Sequence, residues 1–107
     1  MTIVRTAFFE ANLNNEEKLD FYNYMESEVV PIIRTFPGSK GVVLSKPEYI
    51  ESDCHQNVIL MMQHSYEDKY AMEQALNSSQ RIASMNATKV IVEKYRLHVH
   101  HMNFMVD

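Results

Sequence analysis

The chain has 107 residues, of which 46% are hydrophobic and 22% charged, with a formal net charge of −4; this is the composition of one folded domain that buries roughly 60–70% of its unfolded surface, not of a disordered tail. Lys and Arg form no stripe, which argues against a nucleic acid partner, and no stretch approaches the ~18 consecutive apolar residues of a membrane span. A single cysteine, Cys54, excludes an internal disulfide and, with no leader pattern at Met1-Thr2-Ile3-Val4-Arg5-Thr6, leads us to expect a cytoplasmic protein.

Thr2–Ala11 carries β-branched and aromatic residues and reads as a first strand, with Ile3, Ala7 and Phe9 alternating against Val4, Thr6 and Phe8. Asn12-Leu13-Asn14-Asn15 offers capping side chains, and Glu16 and Glu17 suit a first helical turn, so a helix starts there. Leu19, Tyr22, Met25, Val29, Ile32 and Phe36 recur at steps of three or four as its apolar stripe, and Pro31 is expected to kink or split it near Val30. Phe36-Pro37-Gly38 ends this helix, Lys40–Lys46 is a second strand, and Pro47–Gln56 is a polar loop.

Asn57–Gln63 is predicted as the central strand. Its run Val58-Ile59-Leu60-Met61-Met62 does not alternate, so both of its faces must be covered. Tyr66–Asn77 reads as a short helix with Tyr70, Ala71, Ala75 and Leu76 as its apolar face, and Asn77-Ser78-Ser79 breaks it and caps the next. That helix, roughly Gln80–Glu93, turns Ile82, Ala83, Met85 and Val90 inward, although Val90-Ile91-Val92 could equally begin a strand. Tyr95–Met105 closes the chain as a fourth strand, in which a β-bulge at His100-His101 would bring Leu97 and Val99 onto one face with Met102, Phe104 and Val106.

The order βα-ββ-αβ is the split β-α-β arrangement of a ferredoxin-like α+β fold, a single domain over residues 1–107 with an antiparallel sheet covered by helices on one face only. The other face calls for a second copy of the same sheet, which makes a homodimer the expected assembly.

Pro37-Gly38 before the second strand, Tyr66-Glu67-Asp68 after the third, and the short helix closing at Asn77-Ser78-Ser79 resemble the dimeric α+β barrel superfamily. The likeness is closest to its antibiotic-biosynthesis-monooxygenase (ABM) members. That resemblance implies a homodimer with a pocket between sheet and helices in each subunit and no universal catalytic set. Some members oxygenate phenolic polyketides without metal or flavin, and others degrade haem. The haem-degrading branch needs a Trp and a ligating His in the segment after the third strand, where this sequence has Ala75 and Met85, so haem chemistry is not expected.

Among residues able to carry chemistry, His64 at the end of the central strand and Tyr66 at the start of the following helix could line a pocket mouth beside Tyr22, Met25 and Met62, with a histidine as general base. His98 and His100 stand two apart on a strand and share a face. They supply only two imidazoles, with no Asp, Glu or Cys nearby in sequence, so the expectation is a pH-sensitive structural pair and no metal site. Cys54 and His55 are adjacent in a polar loop, where neighbouring side chains diverge. The chain's 8 methionines are expected to fill core gaps, although a Met- and Tyr-lined cavity would suit a flat apolar ligand. With only Gly38 and Gly41 there is no phosphate loop and no cofactor is expected.

The function these observations imply is a cofactor-independent monooxygenase or related small-molecule enzyme acting on an aromatic or polyketide-like substrate. His64, Tyr66 or His98 would deprotonate a phenol there, with Tyr22, Met25, Met62 and His100 as binding residues. A non-catalytic, ligand-binding or stress-related dimer with the same cavity is the alternative.

Overall fold

The computed structural model describes residues 1–107. Its elements are β1 (Thr2–Glu10), α1 (Asn15–Tyr24), a π-helical turn (Met25–Val29), α2 (Val30–Ile33), β2 (Ser39–Ser45), β3 (Val58–Tyr66), α3 (Lys69–Leu76), α4 (Ser79–Tyr95) and β4 (His98–Val106). The strands form one antiparallel sheet in the order β2-β3-β1-β4, the ferredoxin-like arrangement expected from the sequence. No helix is long and apolar enough to cross a membrane.

Local chemistry accounts for where the helices begin. Asn14 accepts from the Glu17 backbone N–H at 2.8 Å while Glu17 accepts from the Asn14 N–H at 3.0 Å, a reciprocal capping box. Asp68 caps α3 through the Ala71 N–H at 2.8 Å, and Ser78 caps α4 through the Arg81 N–H. Gly38 adopts φ 74° after α2, a conformation that a Cβ would strain, and so turns the chain into β2.

The first helix divides near Val30, as Pro31 requires, but by a specific device. The Val30 N–H reaches back five residues to the Met25 carbonyl, which inserts one extra residue into the turn ahead of a proline that has no N–H to offer. The extra residue rotates the apolar stripe, so Phe21, Met25, Val29, Val30, Ile33 and Phe36 are buried and Leu19 is 60% exposed, against expectation.

Pairing registers assign every strand residue to a face. Ile3↔Tyr66, Arg5↔His64, Ala7↔Met62 and Phe9↔Leu60 point toward the helices, joined on β4 by Val99 and His101. Val4, Phe8, Met61, Met102 and Phe104 occupy the opposite, helix-free face, together with Val43 of β2.

Four sequence expectations change. β3 runs on through His64 to Tyr66, because β1 begins at Thr2 and its first residues pair there, so Tyr66 does not open a helix. β4 pairs with β1 without a break from His98 to Val106, so no bulge exists at His100-His101. The register shifts fall instead between Phe9 and Glu10 and between Ser39 and Val42, the latter with Gly41 at φ 138°. Lastly, Tyr70, Ile82, Met85 and Val90 face outward, while Met72, Ala75, Ser84 and Ile91 are buried.

Candidate functional site

A cavity of about 620 Å³ lies between the helix-facing side of the sheet and the helices, within the size range of small-molecule sites. Ala7, Phe9, Met62 and Val99 supply apolar floor from β1, β3 and β4; Ile33 and Phe36 close one side. The α4 wall is polar, with Arg81, Ser84 and Thr88, which explains why the hydrophobic pattern of that helix points away from the sheet.

His64 is the most enclosed polar residue of this cavity, at 5% exposure. Its Nδ1 is 3.4 Å from the Tyr66 hydroxyl, its ring meets Phe36 edge-on, and its Nε2 has no hydrogen-bond partner. Desolvation, reinforced by the Arg5 guanidinium and by His101, lowers the His64 pKa to about 4, so the ring is neutral at pH 7. Tyr66, fully buried, has its pKa raised by desolvation and keeps its proton. When Tyr66 donates to Nδ1, Nε2 carries a hydrogen toward the cavity; in the other tautomer Nε2 is a bare acceptor.

Two arginines dominate the electrostatics. Arg5, beside His64 across the strand pair, donates to Asn103 at 3.2 Å, and its pKa is lowered by desolvation and then by Arg81. A guanidinium nonetheless stays charged at neutral pH. Arg81 and Lys89 add two more cationic side chains, and no Asp or Glu lines the cavity. His101 sits at the exposed rim, where desolvation first and then Arg5, Arg81 and His100 lower its pKa to about 4. Because His101 remains exposed, burial is the firmer cause of neutrality for His64 than for His101.

Of the residues singled out from sequence, His64 and Met62 line this cavity, and Tyr66 stands behind His64. The others lie elsewhere. Tyr22 donates to the Ile59 carbonyl at 2.8 Å and borders a separate polar cleft, and Met25 is a fully buried core residue. His98 and His100 are on the helix-free face, so neither shares the site of His64; a carboxylate absent from their own sequence neighbourhood, Glu10, stands beside them. Met85 borders the cavity at 54% exposure and is not a helix-packing residue. Sequence reasoning missed Arg5, Arg81 and His101. The signal available for Arg5 was a cation interrupting the inward-facing set Ile3, Ala7 and Phe9.

The sequence matches no protein-family model and no curated protein. Among solved structures, an EthD (ethyl tert-butyl ether D) family protein from Bacillus halodurans superposes with a TM-score of 0.78 at 18% identity over all of both chains. A dimeric protein of unknown function with a ferredoxin-like fold from Bacteroides fragilis gives 0.69 at 8% identity, covering 98% of this chain and 96% of that one. A candidate antibiotic biosynthesis monooxygenase from Deinococcus radiodurans (100% and 93% covered) and SnoaB, a cofactor-independent oxygenase from Streptomyces nogalater (98% and 92% covered), each give 0.65 at 12% identity. The chain thus has the ferredoxin-like α+β fold that these proteins share, and antibiotic-biosynthesis-monooxygenase-like proteins are among its structural neighbours.

Proposed function

We propose that the protein is a cofactor-independent oxygenase that binds a phenolic or anthrone-type substrate as its anion in the cavity beside His64. The observation that carries this reading is a neutral, buried His64 with a free Nε2 in a cavity that has an apolar floor, three cations and no carboxylate. Such a lining favours an apolar ring system bearing one acidic hydroxyl, because Arg5 and Arg81 stabilise the phenolate over the phenol. The fold shared with a cofactor-independent oxygenase supports it.

The electrostatics also rank the roles. An imidazolium with a pKa of about 4 holds a proton weakly, so His64 is a poor base for a phenol whose pKa is near 10. Ionisation is therefore driven chiefly by the arginines, and His64 orients the substrate oxygen through Nε2. The electron-rich anion reduces oxygen itself. For an anthrone, the ring methylene becomes a ketone: its carbon gives up both hydrogens and four electrons to dioxygen. One oxygen atom forms the new carbonyl, and the other leaves with the two hydrogens as water.

The working unit is a homodimer joined through the helix-free sheet face, where Met102, Phe104 and Val43 are 48%, 44% and 57% exposed in the single chain. The ferredoxin-like neighbour described as dimeric supports that assembly.

Oxygen uptake with an anthrone and hydroquinone panel, using chelator-treated protein, tests the reading. Turnover with a higher KM in Arg5→Gln is expected. Saturable binding of the same compounds without oxygen uptake would replace the enzyme with a ligand-binding dimer, and absence of binding would remove the small-molecule reading altogether.

A further inference from the structure

The helix-free face carries a cluster of another kind. Antiparallel pairing places Glu10, the last residue of β1, directly across from His98, the first of β4, and the two-residue repeat of a strand puts His100 on the same side. One potential ligand atom from each of Glu10, His98 and His100 lies within 4.8 Å of the others. His100 Nδ1 is 3.3 Å from Glu10 Oε2. Two ligands bound at ~2.0–2.1 Å to one tetrahedral ion are themselves about 3.3 Å apart. The His100 ring is stacked on Phe8, with centroids 5.2 Å apart and planes at 19°, which restrains its direction. His55 brings a further imidazole to the same carboxylate, with Nδ1 3.9 Å from Glu10 Oε1.

We propose that Glu10, His98 and His100 bind one divalent transition-metal ion of the zinc type. The sequence around the two histidines holds no third ligand, and the strand pairing supplies one from the opposite end of the chain. Two imidazoles and a carboxylate are a borderline donor set, which selects Zn2+ or Co2+ over Mg2+ and Ca2+, since those take oxygen ligands. Three protein ligands leave one position for water or for His55. A metal bound there ties β1 to the edge strand β4 and is separate from the His64 cavity, which opens on the other side of the sheet.

Tag-free full-length protein, stripped with a chelator and dialysed, is titrated calorimetrically with ZnCl2 and followed in the visible with CoCl2. One zinc per chain with a dissociation constant below about 100 µM is expected, with tetrahedral Co2+ bands of nitrogen and oxygen ligation. Glu10→Gln and His98→Ala should each weaken zinc binding by ~10-fold or more, with unchanged circular dichroism, whereas Cys54→Ser should bind as the parent does and MgCl2 should give no saturable heat. The wild-type cobalt spectrum needs no variant to fold. A thiolate charge-transfer band, no saturable zinc binding, or undiminished binding in the Glu10→Gln, His98→Ala double variant would each overturn the proposal and leave the cluster as an ion-pair group.

Discussion

The helix-covered face of the sheet buries Phe9, Leu60 and Tyr66 to 1% exposure or less, whereas the opposite face leaves Met102, Phe104 and Val106 nearly half open. Each face also hides one polar atom without a partner: His64 Nε2 on the first, Thr6 Oγ1 on the second. Leaving such a group unpaired costs about 1–3 kcal/mol on either side. The settings differ, because His64 borders a cavity of about 620 Å³ and Thr6 does not line it. An orphaned polar atom therefore marks a ligand site only where there is space beside it for something to enter.

The sharpest test of the contrast between faces places a charge on each. Leu60→Asp puts an unpaired carboxylate into the filled side and should cost about 4 kcal/mol or more, read as loss of cooperative unfolding in urea. Met61→Asp with Phe104→Asp alters only the open side. That double variant should stay folded by circular dichroism and halve the mass in light scattering; a wild-type monomer at micromolar concentration would remove the contrast.

A smaller effect separates the two orphans. The His64 pKa falls from 6.5 to about 4 on folding, so between those values the unfolded chain binds more protons than the folded one. Stability is complete above pH 6.5 and is lost as pH falls toward 4, by on the order of 2 kcal/mol. His101 adds to this in the same direction but weakly, being exposed. Urea midpoints across that range should slope in the parent and flatten in His64→Leu, while Thr6→Val should leave the slope unchanged.

The smallest effect belongs to neither face. Asn14→Ala removes the capping box of α1 at about 1 kcal/mol and should alter neither mass nor ligand binding, as checked by thermal melting beside light scattering.

Strand order and helix caps were legible because local residues decide them: Asn14, Ser78 and the unalternating Val58–Met62 run each imposed a structure without help from afar. The two-sided apolar pattern of Leu97 and Val99 against Met102, Phe104 and Val106 was legible too, but its resolution by a bulge was not. An unbroken β4 leaves both sets buried or buriable once a second copy is allowed, so no bulge is required. The site was half legible. His64 stood out as a titratable group on an apolar strand, but α4 could not be oriented from hydrophobicity, because its sheet-facing side carries Arg81, Ser84 and Thr88 in place of Ile82 and Val90. Glu10 became visible beside His98 only through pairing of residues 88 positions apart in the chain.

The π turn at Met25–Val29 makes the chain's tolerance of length changes uneven. A one-residue deletion there would convert the turn to ordinary α-helix, with every N–H still bonded up to Pro31, but would swing all that follows by about 100° around the helix axis. Ile33 and Phe36 would then leave the sheet, and with them the ring that meets His64 edge-on at 5.6 Å. The same deletion in the exposed loop at residues 47–56 displaces no buried side chain beyond Ile50. Relatives that keep this cavity should accordingly vary in length at that loop and hold the helical segment from Asn15 to Ile33 at constant length.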